Sequence, residues 1–375
     1  MAGIYIHIPY CRKKCFYCDF YSITNFSKRD ELIKSIISEI ILRKNYLEEE
    51  IIETIYFGGG TPSILNNTEI NKIYNTIKTN FTLSKDLEFT FEANPDDLTI
   101  EYLQKLNKTK INRLSIGIQS FQDADLILMN RRHTAKQAIE VVQNAQKLGF
   151  KNISIDLIYG LPNMTAEKWQ TNINKALKLN IQHISAYHLS YETGTKFFKL
   201  LQKKIIREVS ETESINEFEM LINLTEKKDF IHYEISNFCK ENFYSKHNSN
   251  YWNNKKYLGI GPSAHSYNLC SRQWNIANVN KYISGVMKGK DFYTIENLSE
   301  NDKYNEYIIT KLRTMWGVDM NYLKNTFDIY YVEHFSKNIE KYITTKHLKL
   351  DSSSIKLTNE GKFISDKIIE DLLYP

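Results

Sequence analysis

Cysteine, proline and glycine are scarce in this sequence, and long apolar runs are missing. Its 375 residues include 5 Cys, 6 Pro and 14 Gly. An odd number of cysteines, three of them close together, does not form the disulfide framework of a small secreted protein. No run of about 18 apolar residues argues for a membrane-spanning helix, and the N-terminus enters a strand pattern at GIYIHI without the layout of a signal peptide. We therefore expect a cytoplasmic protein.

The sequence also lacks a strong excess of charge of either sign. Its formal net charge is +5, from 49 Lys and Arg against 44 Asp and Glu. A balance this small does not indicate nucleic acid by itself, although it suits an acidic ligand or a membrane surface. The hydrophobic content of 42% and charged content of 25% are those of a globular protein, long enough for one large domain or two ordinary ones.

Strand-like runs alternate with helical patterns through about the first 195 residues. The strand-like runs begin near Ile4, Thr54, Leu87, Arg113, Asn152 and His183. Strands that are apolar on both faces and alternate with helices indicate an α/β fold with a parallel sheet. The cysteine cluster, a glycine triplet and several polar residues fall at the C-terminal ends of these strands, where TIM-like barrels collect their chemistry. We expect a partial (β/α)6 barrel in preference to an open doubly wound sheet.

The pattern changes after about residue 195. A helical stretch over SETESINEFEMLINLTEKKDF precedes a segment rich in Tyr, Asn and Gly, residues 243–275. From about residue 300, two helical patterns, a hairpin and a further helix indicate a winged-helix-like α+β domain. The predicted divisions are 1–195 for the barrel, 196–295 for a segment that extends it, and 296–375 for the C-terminal domain. Such a domain often binds DNA, but without a strong basic run a module that packs over the barrel fits equally well.

Three cysteines follow the first strand in YIHIPYCRKKCFYC, with Cys11, Cys15 and Cys18 spaced C-x3-C-x2-C. Four thiolates would indicate structural zinc, whereas three leave one iron of a [4Fe–4S] cluster without a protein ligand. The amino and carboxylate groups of an amino acid can chelate that iron, which is how S-adenosylmethionine binds such clusters. A zinc site completed by His7 or Cys239, and three cysteines without a ligand, are the alternatives.

Polar and glycine residues at the other strand ends fit a nucleotide ligand. The glycines of YFGGGTPS have no Cβ atoms, so a ligand can approach the backbone closely. Glu92 could accept hydrogen bonds from ribose hydroxyls, and Arg131 could pair with a carboxylate. Each of these residues could equally be an ordinary polar residue at the rim of the barrel.

Six motifs together resemble the radical S-adenosylmethionine proteins related to the oxygen-independent coproporphyrinogen III oxidases. They are YIHIPYCRKKCFYC, GGGTPS, FEANP, IGIQSF, NRRHT and IDLIYGLP, and the resemblance runs from about Tyr5 to about Tyr267. It implies that Cys11, Cys15 and Cys18 bind a [4Fe–4S] cluster. It also implies that S-adenosylmethionine contacts Tyr5, Tyr17, Gly59, Gly60, Thr61, Glu92, Gln119, Arg131, Asp156 and Ser190.

Two departures from the oxidases select a branch of this family. The oxidases carry a further cysteine two residues after the third, where this sequence has Phe20, and a long segment before the cluster, where this sequence has ten residues. Both differences argue against decarboxylation of a porphyrinogen. They fit the heme-chaperone (HemW-like) branch.

The segment SKHNSNYWNNKKY contains a motif, H-N-x-x-Y-W, that resembles one of the same branch. An imidazole beside two large aromatic rings offers heme an axial nitrogen and a flat apolar surface, so His247 is the predicted heme contact, with His265 as an open alternative. Lys246, Lys255 and Lys256 could meet the heme propionates. An ordinary loop whose aromatic residues pack beneath the barrel is the competing interpretation.

The resemblance implies a carrier that binds heme, a [4Fe–4S] cluster and S-adenosylmethionine and passes heme to an acceptor, expected to be a respiratory-chain heme protein. No residue is assigned a catalytic role, and enzymatic turnover is left open. An active oxidase of coproporphyrinogen III or a related tetrapyrrole is the alternative, and a zinc-stabilised nucleic-acid-binding protein is a third class. We expect no nucleic-acid partner, and we leave membrane-surface association and a homodimer open.

Overall fold

The computed structural model describes residues 1–375 and contains six parallel strands that are neighbours in the sheet in chain order. These strands are β1 (Ala2–Ile8), β2 (Ile52–Gly59), β3 (Leu83–Ala93), β4 (Arg113–Gln119), β5 (Ile153–Tyr159) and β6 (His183–His188). The connections between them carry α1 (Arg29–Leu42), α2 (Asn67–Asn80), α3 (Ile100–Leu106), α4 (Asp123–Leu128), α5 (Ala135–Lys147) and α6 (Ala166–Lys178). A doubly wound sheet reverses its strand order at a switch point, and this sheet does not. The prediction of a partial (β/α)6 barrel is confirmed.

The barrel does not close, because further strands extend both sides of the sheet. The complete order is β12-β11-β10-β9-β1-β2-β3-β4-β5-β6-β8-β7, with β9 parallel to β1 and β8 antiparallel to β6. The added elements are α7 (Lys196–Gln202), α8 (Glu211–Glu226), β7 (Ile231–Glu234), β8 (Asn237–Cys239), α9 (Lys246–Trp252), β9 (Tyr257–Ile260), β10 (His265–Tyr267), β11 (Ser271–Asn275), α10 (Val279–Lys288) and β12 (Tyr293–Asn297). The segment 243–275 therefore contains a helix and three strands.

The interior of the partial barrel is polar. Apolar side chains of β1 to β6 belong to one hydrophobic core of 63 buried residues, which also includes side chains of the surrounding helices. Five other residues of these strands are buried and polar: Thr54, Thr90, Arg113, Ser154 and His183. Ser154 Oγ and His183 Nδ1 are 2.7 Å apart, a hydrogen bond inside the barrel. Such an interior suits a polar ligand better than the branched apolar layers of an ordinary TIM barrel.

The C-terminal domain has its own hydrophobic core of 17 buried residues, from Tyr304 to Leu372. Its elements are α11 (Glu300–Leu312), β13 (Val318–Asp319), α12 (Met320–Thr326), α13 (Ile329–Thr344), β14 (Leu348–Asp351), β15 (Ser354–Leu357), α14 (Asn359–Phe363) and α15 (Ser365–Leu372). The three strands form a small sheet in the order β13-β15-β14. The domain divisions at residues 195 and 295 stay a prediction, although the first core ends at Phe292 and the second begins at Tyr304. No helix is apolar over a length that would cross a membrane.

A buried carboxylate, Glu39 of α1, ties the outer helices to the added strands. It accepts hydrogen bonds from Gly261 N at 2.8 Å, Asn275 Nδ2 at 2.8 Å and Tyr282 Oη at 2.5 Å, and it pairs with Arg43 at 3.3 Å. Hydrogen bonds to charged groups each contribute about 1.5–3 kcal/mol. Because an amide keeps some of these bonds, we expect Glu39→Gln to lower the free energy of unfolding by about 2 kcal/mol in urea titrations.

A matched control for this variant lies on the same helix. Glu31 is exposed and pairs only with exposed Lys28 at 3.2 Å. Surface pairs of this kind contribute little, so Glu31→Gln should change stability by less than about 0.5 kcal/mol. Equal losses in the two variants would contradict the role given to Glu39.

Candidate functional site

The cysteine loop follows β1 and is held against the connection between β4 and α5. Phe16 N donates to Met129 O at 3.1 Å, and Asn130 Nδ2 donates to Lys14 O at 2.8 Å. All three cysteines of the loop are free thiols. Together they line a cavity of about 420 Å³ at the C-terminal ends of β1 to β6, which we call the mouth of the barrel. That volume lies within the range of small-molecule cofactor sites, about 300–1,000 Å³.

The surroundings of the thiols fit thiolate ligands of an iron–sulfur cluster. Thr61 Oγ1 donates a hydrogen bond to Cys11 Sγ at 3.3 Å, and Arg131 Nη1 donates one to Cys15 Sγ at 3.3 Å. Burial, and then the neighbouring Cys15, raise the pKa of Cys18 to about 11. A metal cluster would offset this cost by supplying positive charge to the sulfurs, and the hydrogen-bond donors already face two of them.

The two residues considered as a fourth zinc ligand do not complete a set with these thiols. Both ring nitrogens of His7 are engaged, Nδ1 with Tyr5 Oη at 3.2 Å and Nε2 with Tyr21 O at 3.0 Å. Cys239 pairs with His183 at the start of β6, which is the opposite end of the barrel from the mouth. No three His, Cys, Asp or Glu side chains are arranged to hold a single metal ion. A cluster with separate irons at its corners is the better match for the three thiols.

The glycine stretch at the end of β2 needs glycine because its backbone is crowded and has a positive φ. Gly59 has φ +105°, and a Cβ atom there would lie 2.6 Å from Cε1 of His7. With no side chain in the way, Gly59 N donates to Glu92 Oε2 at 3.2 Å. The stretch therefore places one backbone N–H beside the Glu92 carboxyl group at the base of the cavity.

Two partly buried carboxyl groups form that base. Glu92 Oε1 accepts from Tyr56 Oη at 2.7 Å, and Asp156 Oδ1 accepts from Ser115 Oγ at 3.4 Å. Burial raises the pKa of Glu92 to about 7, and the charge of Asp156 adds to the rise. Burial also raises the pKa of Asp156, against the lowering effect of Arg113. The pair has spare acceptor positions for the hydroxyls of a sugar.

Arg131 joins the cysteine loop to the strand ends. Its guanidinium donates to Asn94 Oδ1 at 2.7 Å and to Gly117 O at 2.5 Å, besides its bond to Cys15. Asn94 Nδ2 in turn donates to Thr61 Oγ1 at 3.2 Å, so Asn94 links the two residues that bond to thiols. Sequence reasoning missed Asn94, although it stands in the quoted motif FEANP.

The structure brings almost all the predicted site residues to this one cavity. Besides the three cysteines, the lining includes Tyr17, Gly59, Gly60, Thr61, Glu92, Gln119, Arg131, Asp156 and Ser190. Tyr5 is placed below the cavity, where its ring lies 2.9 Å from the position of a Cβ on Gly58 and supports the glycine stretch. Lining residues that the sequence did not indicate include Ser115, Gly117, Tyr187 and Leu189. Gly117, Tyr187 and Leu189 share with the predicted residues a position near the C-terminal end of a strand, which is the signal that could have found them.

His247 is not brought to the cavity. It lies on α9, which fills the lower end of the barrel, and its ring is buried with Nδ1 2.7 Å from Thr54 Oγ1 and Nε2 2.8 Å from Tyr251 Oη. Burial, and then the charge of Arg113, lower its pKa to about 3, so the imidazole is neutral. The aromatic ring of Tyr56 stacks on it with centroids 5.0 Å apart. These contacts are those of a packed core histidine.

The lysines suggested as propionate contacts also have other partners. Lys255 Nζ lies 2.8 Å from Glu53 Oε2, and Lys256 Nζ lies 2.6 Å from Glu48 Oε2. Lys246 Nζ donates to the carbonyl of Asp86 at 3.3 Å. Carboxylates supplied by earlier parts of the chain therefore already pair with two of the three ammonium groups suggested for the propionates.

Comparison with known proteins adds evidence over the whole length of the chain. Residues 5–176 match the Radical SAM superfamily, and residues 298–364 match the HemN C-terminal domain. The heme chaperone HemW of Lactococcus lactis subsp. lactis is 34% identical over 370 residues, which covers 98% of this chain and 96% of the relative. The heme chaperone HemW of Bacillus subtilis is 34% identical over 375 residues, which covers 98% of each chain.

A solved structure shares the fold. Coproporphyrinogen III oxidase (HemN) from Escherichia coli, described as a radical SAM enzyme, superimposes with a TM-score of 0.86. The match covers 99% of this chain and 90% of the oxidase, at 22% sequence identity. At that identity the likeness establishes the architecture of barrel and C-terminal domain.

Proposed function

The chain belongs to the HemW family of heme chaperones, within the radical SAM superfamily, and we propose from this that it binds heme and transfers it to an acceptor protein. The acceptor expected from the sequence is a heme protein of the respiratory chain. The observation that carries the proposal is the single cavity in which three free thiols, a glycine stretch and two carboxyl groups meet. It is the site that the radical SAM fold implies for a [4Fe–4S] cluster and S-adenosylmethionine.

One group of cavity residues would hold the cluster, and another group would hold the nucleotide. Cys11, Cys15 and Cys18 would hold the cluster, which when bound supplies one iron open to the amino and carboxylate groups of S-adenosylmethionine. Arg131 orients Cys15 through its bond to Sγ, and Thr61 does the same for Cys11. These donors keep the sulfurs in place and favour their anionic form.

The base of the cavity would receive the nucleoside. Glu92 and Asp156 accept hydrogen bonds, and ribose hydroxyls are donors of the right kind for them. Tyr56 and Gly59 fix the Glu92 carboxyl group through bonds to both of its oxygens. A carboxyl group held in this way loses little conformational freedom when the ligand binds.

The alternative of an active coproporphyrinogen III oxidase meets an obstacle at Phe20. This residue lines the mouth of the cavity and is 66% exposed, where the oxidases carry a further cysteine. A phenyl ring offers no sulfur for chemistry, but it does offer a flat apolar surface at the entrance. Phenylalanine in place of this cysteine favours the binding of a planar ligand over its chemical conversion.

The predicted contact between His247 and heme requires a rearrangement of α9. Heme could reach His247 if α9 left the barrel, because both ring nitrogens now bond to protein hydroxyls. That movement would also break the bonds from the backbone N–H groups of Lys246 and His247 to the carboxylate of Glu88.

Anaerobic reconstitution with iron and sulfide, followed by heme titration and an oxidase assay on the same sample, tests the proposal. We expect a saturable Soret band, release of heme to a heme-depleted respiratory membrane, and no consumption of coproporphyrinogen III. Turnover of coproporphyrinogen III without retained heme would instead establish the oxidase alternative. If α9 keeps its position in the barrel when heme binds, His247→Ala should change the dissociation constant for heme by no more than about two-fold, because the ring of His247 is enclosed there.

A further inference from the structure

A second cavity, of about 340 Å³, lies between the barrel sheet and the C-terminal domain. Its walls are β7, the segment that follows α11, the β14–β15 hairpin and α14. Backbone hydrogen bonds join the first two walls, from Ile235 N to Arg313 O at 3.1 Å and from Met315 N to Tyr233 O at 3.0 Å. We call it the lysine cavity. It shares no lining residue with the cavity that holds the cysteines.

Three lysines line this cavity from the side of the C-terminal domain. Lys349 of β14 and Lys356 of β15 lie directly opposite each other in the hairpin, and Lys362 follows on α14. Like charges at opposite positions of an antiparallel pair are destabilising. The hairpin therefore concentrates positive charge at an unfavourable position, and an anion beside these lysines would replace repulsion with attraction.

The carboxylates of the lysine cavity offset only part of this charge. Asp351 Oδ2 lies 2.8 Å from Lys356 Nζ. Glu234 is buried and lies 3.8 Å from Arg313 Nε. Glu360 is exposed at the rim and pairs with none of the lysines. The other two lysines of the cavity have no carboxylate within ion-pair distance.

Lys362 is the most informative of the three, because its ammonium group is partly buried among neutral partners. Its Nζ lies 3.0 Å from His232 Nδ1 and 3.1 Å from Asn359 Oδ1. Since His232 Nε2 bonds the carbonyl of Ile235 at 3.1 Å, Nε2 carries the ring proton and Nδ1 is the acceptor. Burial, and then the charge of Lys349, lower the pKa of Lys362 to about 8. An ammonium group removed from water without an anionic partner is costly, and a bound anion would offset that cost.

The donors of the lysine cavity suit a phosphate group. Two ammonium groups without carboxylate partners face it, together with the guanidinium of Arg313, whose second partner is the exposed carboxylate of Asp366 at 3.3 Å. Ammonium and guanidinium groups only donate, and phosphate oxygens accept several such bonds at once. The volume is at the lower end of the range for small-molecule sites, which leaves room for a phosphate monoester as well as for the free ion.

We propose that the lysine cavity binds a phosphate group, free or carried by a small molecule, through Lys349, Lys362 and Arg313. The inference does not depend on the proposed function, because the two cavities have no residue in common. A ligand here would join the sheet of the barrel to the C-terminal domain, since β7 belongs to the first and the lysines to the second.

Isothermal titration of the reconstituted full-length protein with inorganic phosphate, and separately with ribose 5-phosphate, tests the inference at an ionic strength held constant with chloride. We expect saturable binding with a dissociation constant of about 1 mM or less. Lys362→Met should weaken binding by about ten-fold or more, and Lys349→Met should also weaken it. Tighter binding of ribose 5-phosphate would identify a monoester as the ligand, and tighter binding of phosphate would identify the free ion.

Two other lysines give matched controls. Lys337→Met removes the same charge from an exposed position of α13 outside the cavity and should bind phosphate within about two-fold of the original protein. Lys13→Met removes a lysine from the cavity of the cysteines. Loss of binding in Lys13→Met but not in Lys362→Met would place the ion among the cysteines and overturn the inference. Equal losses in Lys337→Met and Lys362→Met, or no saturable binding up to about 10 mM phosphate, would also overturn it.

Thermal unfolding separates loss of the site from loss of the fold. Without phosphate, Lys362→Met should be at least as stable as the original protein, because it removes a partly buried ammonium group that has no anionic partner. Phosphate should raise the Tm of the original protein and of Lys337→Met, and leave that of Lys362→Met unchanged. The same rise in all three proteins would contradict binding at the lysine cavity.

Discussion

Cys15→Ala is expected to abolish the iron–sulfur cluster, with iron and sulfide falling to background after anaerobic reconstitution. Two remaining thiolates leave two irons of a cubane without protein ligands, which is too few to hold it. The substitution also removes the acceptor of the hydrogen bond from Arg131, so a partly buried guanidinium loses a partner. Binding of S-adenosylmethionine should be lost with the cluster, because the open iron is one of its contacts.

Cys270→Ala and Cys239→Ala are the matched controls. Cys270 is exposed, and Cys239 is buried at the lower end of the barrel. Both variants should reconstitute to the same iron and sulfide content as the original protein. A cluster retained in Cys15→Ala, or lost equally in Cys270→Ala, would refute the assignment of the three-cysteine loop.

Glu92→Gln is expected to lower the affinity for S-adenosylmethionine by about 100-fold while raising the stability of the protein without ligands. The loss of affinity follows from exchanging a carboxylate for an amide at two charge-assisted hydrogen bonds, each of about 1.5–3 kcal/mol. The gain in stability follows from burial, which raises the pKa of Glu92 from 4.5 to about 7. Isothermal titration and urea unfolding measure the two effects.

The sign of the pH dependence follows from that shift. Between pH 4.5 and about 7 the folded chain holds a proton on Glu92 that the unfolded chain has released. The stability contributed by the protonated group is therefore lost as pH rises through this window. Tyr56 and Asp156 face the same carboxyl group, and Arg113 partly offsets its charge. Above pH 7.5 Glu92→Gln should be more stable by about 2 kcal/mol, and below pH 4.5 the difference should vanish.

Glu217 offers a control with a similar shift of its pKa. Burial raises its pKa to about 7, and Gly160 N donates to its Oε2 at 2.7 Å, but it does not line the cavity. Glu217→Gln should therefore show the same kind of pH-dependent stability with unchanged affinity for S-adenosylmethionine. Weakened ligand binding in both variants would mean that a general change of the barrel causes the effect at Glu92.

The six barrel strands and the cysteine loop were predictable because each follows from local pattern. Apolar runs of strand length alternate with helical spacing, and C-x3-C-x2-C lies just after the first strand. Helix α13 was not predicted, although Tyr331, Val332, Phe335 and Ile339 are buried at helical spacing. Its aromatic residues have modest helix propensity, and packing in the second core decides the outcome.

The sequence could not indicate where the H-N-x-x-Y-W motif lies. Helix α9 enters the barrel because Glu88, in the middle of β3, accepts a hydrogen bond from the backbone N–H of His247 at 3.0 Å, 159 residues away. Contacts this distant in sequence leave no trace in local pattern. The same reason explains why three lysines near the motif suggested a propionate site, whereas remote carboxylates pair with two of them.

The open edge at β12 bears on how a flat ligand of the kind proposed above could leave this protein. A closed barrel offers exit only along its axis, and widening it breaks ladder hydrogen bonds. Here β7 is tied to the C-terminal domain by the bridge between Glu234 and Thr314, whereas β12 ends the sheet and all five of its residues are exposed. The β12 edge can move without breaking any pairing to a further strand, so a planar ligand could be released through that side at little structural cost.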